Sequence, residues 1–217
     1  MGREYLMTHA KCLKLDIAIP HEEMLAEAKA LREHFIKYDQ GLEYVHSGWY
    51  ALPLHGLGAD KTKSYQAYGY TDPNKASDDM QWTEFANKCP VTMNWLNSVF
   101  PSMKYGRVRF MLLEAGGYIA PHIDSEHPIT EAVNIALNNP DECVWTWGDN
   151  TTLHFQPGDA YAMNISYLHG VTNNSNEDRY HLIVHHHDST VEWKRMMINA
   201  MQTQNETGNF FYSQDLY

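Results

Sequence analysis

The sequence predicts a mainly β fold with flanking helices, a barrel or jelly roll. Three observations point there. From Arg107 onward, short alternating segments recur with turn residues between them, at 107–113, 117–124, 132–137, 142–147, 151–156, 159–165, 168–172 and 179–187. Even spacing of that kind marks all-β barrels and jelly rolls. Two runs of helical period, His21–Tyr38 and Thr190–Gln204, bracket them. At 217 residues and 43% hydrophobic content, the chain is long enough for one such domain with a packed core. The whole chain, 1–217, reads as a single domain: an N-terminal elaboration over 1–105, a jelly-roll core over 106–188, and a C-terminal helix and tail over 189–217.

Residues 1–20 alternate weakly and suggest a short strand or arm. From His21 to Tyr38, Met24, Leu25, Ala28, Leu31, Phe35 and Ile36 recur at three-to-four spacing, the mark of an amphipathic helix. Between Tyr44 and Thr71 aromatics alternate with glycines, which predicts two strands joined by a turn near Ala59-Asp60. Pro73 to Asp79 reads as a polar loop. Cys89 to Phe100 suits a helix, with Pro90 in its first turn and Pro101 just past its end. After the eight strands, Trp193, Met196, Met197 and Met201 share one side of the last helix, which either packs on the core or forms a homodimer contact. The tail from Asn209 to Tyr217 is too aromatic for a solvated end, so it packs on the barrel or covers a partner.

The chemistry concentrates between Gly116 and His187. The pattern His-x-acid occurs three times: His21/Glu23, His122/Asp124 and His186/Asp188. With 13 His and 27 acids, chance alone gives roughly one or two, so context must choose among them. His21 opens a helix, where acids answer the dipole. His186 has no histidine after Asp188. His122 and Asp124 lie in Gly116-Gly-Tyr-Ile-Ala-Pro-His-Ile-Asp124, where an extended strand puts Tyr118, Ala120, His122 and Asp124 on one face. A distant partner is available in His169, between an alternating strand and the polar turn Asn173–Asp178. Arg179 follows ten residues later and opens the next strand. A hairpin there brings His169 and Arg179 close.

Two histidines and a carboxylate on one face leave open positions on a ferrous ion. Arg179 supplies a rigid fork for the carboxylate of a keto-acid cosubstrate. The set therefore points to an oxygenase that uses Fe(II) and 2-oxoglutarate. Strand parity also turns Asn134 and Tyr118 inward, as candidate contacts to the cosubstrate. Arg107 and Arg109 share a face of the first barrel strand and are candidates for a substrate carboxylate clamp. Trp145 and Trp147 read as jelly-roll core rather than an aromatic wall. The competing class is a cupin-type metal-binding isomerase or small-molecule module without oxygen chemistry. A carboxylate clamp at Arg179 favours the oxygenase.

These residues carry a resemblance. Arg107-Val-Arg-Phe-Met-Leu-Leu113, Pro121-His-Ile-Asp124, Val133-Asn-Ile-Ala-Leu137, Phe155-Gln-Pro-Gly-Asp159, His169 and Arg179-Tyr-His-Leu-Ile-Val184 together resemble the aspartyl/asparaginyl β-hydroxylase family of 2-oxoglutarate oxygenases, which includes free-proline hydroxylases. The resemblance implies a double-stranded β-helix (cupin-like jelly roll), Fe(II) as metal, and 2-oxoglutarate as cosubstrate. It implies hydroxylation of an amino-acid-like or peptidyl substrate, with release of succinate and CO2. Peptide-hydroxylating members carry an arginine and a histidine on the strand that matches Ala132–Ala136, where this chain has Ala132 and Asn134. Some of them also lack the acid that is present here as Asp124. Both departures lean towards a small amino-acid-like substrate.

Charge and cysteine content bound the rest. A formal charge of −11 with no basic cluster disfavours nucleic acid as a partner. Cys12, Cys89 and Cys143 are widely spaced, which suits reduced thiols rather than disulfides or structural zinc. No apolar run reaches the ~18 residues of a spanning helix, and the first ten residues lack a secretory core. The expectation is a cytoplasmic enzyme without membrane association.

Overall fold

The computed structural model of the chain describes residues 10–38, 45–60, 65–125, 132–187 and 190–207. The aromatic tail and Asp188 lie outside the described residues. Among the described residues eleven strands form one curled, antiparallel sheet: β1 (Cys12–Lys14), β2 (Ile36–Lys37), β3 (His46–Gly56), β4 (Gln81–Trp82), β5 (Tyr105–His122), β6 (Ala132–Ala136), β7 (Cys143–Trp147), β8 (Thr152–Leu153), β9 (Ala160–Met163), β10 (His169–Asn173) and β11 (Arg179–His186). The helices are α1 (His21–Ala30), α2 (Pro73–Asp78), α3 (Pro90–Ser98) and α4 (Val191–Thr207). Along the sheet the order is β1-β9-β6-β11-β5-β10-β7-β8, with β3 paired to the other edge of β5. This is the jelly roll expected from the strand spacing.

Four local expectations are corrected. The first helix stops at Ala30, and a 3-10 turn over Arg32–His34 leads into β2, because Ile36 and Lys37 pair with Ala51 and Tyr50 on β3. A sheet edge in need of backbone partners outcompetes the helical pattern there. The second strand expected near residue 65 is instead a 3-10 turn over Tyr65–Tyr68. The polar loop after Pro73 is helix α2, capped by Asp72, whose carboxylate accepts from the Asn74 amide at 2.9 Å. The separate strands 107–113 and 117–124 are one strand, β5.

That merger matters for the site. The first part of β5 pairs with β11, from Tyr105↔His186 to Leu113↔Arg179, and its end pairs with β10. Between these parts the register against β3 jumps from Leu113↔Trp49 to Tyr118↔Ser47, so residues 114–117 bulge opposite Gly48. Gly48 and Gly116 take φ of 68° and 71°, a region that other residues reach only at a cost. A Cβ on Gly117 would sit 2.8 Å from the Glu114 carbonyl oxygen. Asn173 Nδ2 donates to the Glu114 carbonyl at 3.0 Å, and the Ala115 amide donates to Asp178 at 3.1 Å, which ties the bulge down. Bulges bend strands and raise their twist; here the bend carries β5 from one neighbour to the next around the curl.

Alternation then divides the side chains. Val108, Phe110 and Leu112 on β5 and Tyr180, Leu182 and Val184 on β11 point outward, into a core shared with α1, α3 and α4. Each such buried side chain is worth about 1.5–3 kcal/mol. Trp193, Met197, Ala200 and Met201 of α4 belong to that core, so of the two readings of this helix core packing is the one observed. The opposite parity, with Arg107, Arg109 and Met111 on β5 and Arg179, Ile183 and His185 on β11, lines a cavity inside the curl.

Candidate metal and cosubstrate site

His122 ends β5 and His169 begins β10, and the two are direct cross-strand partners. His122 Nδ1 lies 2.9 Å from the Ala120 carbonyl, and His169 Nδ1 lies 2.7 Å from that of Tyr167. A carbonyl only accepts, so each Nδ1 carries a proton, which leaves Nε2 as the nitrogen of each ring that can ligate a metal. Both Nε2 atoms face Asp124, at 3.5 and 3.7 Å from its two carboxylate oxygens. One ligand atom from each of the three residues lies within 4.8 Å of the others. Lone pairs and an anion converging on one point repel each other unless a cation sits between them. The donor set therefore fits a divalent metal, with the Nδ1 bonds fixing ring orientation as outer partners of metal ligands do.

The cavity beside this face has a volume of about 180 Å3. Trp145 stacks on His169 with ring centroids 4.7 Å apart and planes 7° from parallel. The expectation that this tryptophan is core alone is corrected, because it also forms a wall of the cavity. Arg179 lines the cavity at 4% exposure, and its Nε has no hydrogen-bond partner among the described residues. Desolvation lowers its pKa. Its Nη2 donates to His181 Nδ1 at 2.8 Å, while Asn134 Oδ1 lies 2.6 Å from the same nitrogen. An imidazole nitrogen either accepts one hydrogen bond or donates one, so His181 satisfies only one of these neighbours at a time. Burial and then the Arg179 charge hold His181 well below the ordinary histidine range, so it stays neutral.

Arg107, Arg109 and Asn134 also line the cavity. Arg109 Nη1 donates to the Tyr38 hydroxyl at 3.1 Å, and Tyr38 packs on Trp49 with centroids 3.8 Å apart. Tyr118 is the exception among the expected residues. It is 39% exposed and is not among the cavity-lining residues. The reason is a second irregularity: Val171↔Ile119 is followed by His169↔His122, two residues of β10 against three of β5. The extra residue breaks strict alternation before Pro121, so Ile119 and His122 line the cavity and Tyr118 does not. Sequence reasoning also missed Tyr38 and Trp49. Tyr38 sits at the end of the helical pattern, and nothing local marks its contact with Arg109.

A jelly roll with a His–Asp–His face and a buried arginine in one cavity defines a class, the Fe(II)- and 2-oxoglutarate-dependent oxygenases. Within it, the chain belongs to the aspartyl/asparaginyl β-hydroxylase family, which matches residues 18–189. No curated protein matches the sequence. Similar solved structures include a Pseudomonas putida prolyl-4-hydroxylase, with 13% identity, 85% of this chain and 97% of that chain covered, and a TM-score of 0.44. A Trichoplax adhaerens prolyl hydroxylase in complex with a hypoxia-inducible-factor peptide fragment has 12% identity, 82% and 84% coverage, and a TM-score of 0.47. A Burkholderia pseudomallei oxidoreductase of the 2OG-Fe(II) oxygenase family has 15% identity, 81% and 84% coverage, and a TM-score of 0.48. At these scores the family assignment rests on the sequence match and not on the structural likeness. Among the described residues no helix is long and apolar enough to cross a membrane.

Proposed function

We propose that His122, Asp124 and His169 hold the Fe(II), that Arg179 pairs with the far carboxylate of 2-oxoglutarate with Asn134 beside it, and that Arg107 and Arg109 receive a carboxylate of an amino-acid-like or peptidyl substrate. Bound there, iron and cosubstrate supply an oxidant able to hydroxylate a C–H bond, with succinate and CO2 as the other products. The chain's own residues do the remaining work. Asp124 and the two Nε2 atoms would hold the metal, a three-residue set that leaves coordination positions for small ligands. Arg179, rigid and always charged, orients the cosubstrate along the cavity. Trp145 and Ile119 wall the site against water.

The observation that carries this reading is Arg179: a buried guanidinium in the same cavity as the metal face, with no carboxylate partner among the described residues. A metal-binding jelly roll without a keto-acid cosubstrate has no use for it. A cavity of about 180 Å3 is small beside the ~300–1,000 Å3 of drug-sized ligand sites. What enters with the cosubstrate is therefore a small molecule or a single side chain of a larger one. Three buried free thiols, with burial raising Cys89 to about 12, support a reducing compartment, and the cytoplasm is our reading.

The test is succinate release from 2-oxoglutarate with added Fe(II). The wild-type protein should turn over slowly without substrate, while His122→Ala and His169→Ala should lose turnover and bind less than a stoichiometric metal ion. Full iron occupancy in the double alanine variant would overturn this ligand assignment.

A further inference from the structure

We infer that the substrate of this site is a dianion without a free ammonium group, anchored by Arg107 and Arg109 together. The inference rests on the roles proposed above for His122, Asp124, His169 and Arg179. With those roles filled, Asp124 and one carboxylate of the cosubstrate offset the two charges of the iron, and Arg179 offsets the other carboxylate. Arg107 and Arg109 remain. They sit two apart on one face of β5 and both line the cavity.

Among the described residues, Asp124 is the one carboxylate that acts on them. Arg109 is 5% exposed, its Nε has no partner among the described residues, and its Nη1 bond goes to the Tyr38 hydroxyl rather than to a carboxylate. Arg107 is pushed down to about 10, first by the charge of Arg109 and then by burial. Asp124 is the single carboxylate among the described residues that line the cavity, and it belongs to the metal. His185, the remaining titratable group beside the pair, is held neutral by burial and then by the two arginines. Two neighbouring guanidinium charges, that of Arg109 buried, whose one carboxylate neighbour among the described residues is committed to the metal, are unfavourable, and two negative charges arriving with the substrate remove that cost. Tyr38 accepts from Arg109, so its own hydrogen is left to donate to the same anion.

The same inventory disfavours an α-ammonium. The one anionic acceptor among the described residues that line the cavity is Asp124, which the metal would occupy, and an ammonium would add positive charge beside two arginines. Free zwitterionic amino acids are therefore poor substrates, whereas dicarboxylic acids, N-acylated acidic amino acids and phosphate monoesters carry the required charge. Arg, with its planar fork, takes either carboxylate or phosphate bidentately.

The experiment is calorimetric binding to wild-type protein loaded with Mn(II) in place of iron and saturated with 2-oxoglutarate, so that no turnover occurs and the cosubstrate position is filled. One arm compares N-acetyl-L-aspartate with N-acetyl-L-asparagine, its near-isostere with one charge fewer, and with L-aspartate, which adds the ammonium. The other compares phenyl phosphate with methyl phenyl phosphate. At least one dianion should bind about tenfold or more tighter than its monoanionic counterpart, and N-acetyl-L-aspartate should bind tighter than L-aspartate. The arm that shows the charge preference identifies carboxylate or phosphate as the source. Arg107→Gln and Arg109→Gln should each erase the preference while leaving Mn(II) and 2-oxoglutarate binding intact. If metal and cosubstrate bind but neither dianion is preferred, the inference fails and the proposed function stands. If the wild-type protein binds no Mn(II) or no 2-oxoglutarate, both fall together.

Discussion

His122 and His169 stand directly opposite each other across the β5–β10 ladder, with ring centroids 4.3 Å apart. Each ring is fixed the same way, by a hydrogen bond from Nδ1 to the carbonyl two residues earlier in its own strand or turn. The two ligands are thus oriented by local backbone and brought together by cross-strand pairing, while Asp124 is held by its amide donating to the Ile165 carbonyl at 3.1 Å. Three separate backbone constraints preorganise the face before any metal arrives.

Close approach of β5 and β10 makes Gly170 sensitive. A Cβ there would lie 2.9 Å from the Ile119 carbonyl oxygen and 3.2 Å from Pro121 N, backbone atoms that cannot swing aside. Gly170→Ala should destabilise the fold by about 1–3 kcal/mol and weaken metal affinity by pushing His169 away from His122. Thermal unfolding and metal titration check both effects. Unchanged melting would mean that the two strands have slack.

Arg179→Ala should leave metal binding near normal but lower 2-oxoglutarate affinity by about two orders of magnitude, since a desolvated carboxylate left without its partner loses roughly 3–5 kcal/mol. Calorimetry on the metal-loaded variant measures this. Equal affinity in variant and wild type would remove the main support for the cosubstrate assignment.

Acid should destabilise the protein before the carboxylates titrate. His55 and His181 both have their pKa lowered in the fold, His55 by desolvation and His181 by burial and then Arg179. The unfolded chain binds those protons near 6.5 and the folded chain does not, so stability is full above that value and falls as pH drops through it. The slope is at most about 1.4 kcal/mol per pH unit for each such histidine. Calorimetric melting temperatures should therefore decline between pH 6.5 and 5.5. A flat profile in that window would show that these rings accept protons freely in the folded state.

Much of the site was readable in order along the chain. The strand periodicity, the one His-x-Asp in a strand context, and the ten-residue step from His169 to Arg179 depend on local alternation and turn chemistry, which sequence encodes directly. So did the inward parity of Arg107, Arg109 and Asn134, because a regular strand repeats every second residue. The misses share one cause. Tyr118 was turned outward by a one-residue irregularity opposite β10, the first helix was cut short by pairing of Ile36 and Lys37 with β3, and Tyr38, packed on Trp49, met Arg109 across a long separation. A bulge shifts parity at the cost of a single residue, and no local pattern announces it. The sequence by itself determined which chemical groups the protein has and which strands carry them. The tertiary structure alone decided which of them share a cavity, because that depends on where a sheet bends, and the bend is set by pairing between segments far apart in the chain.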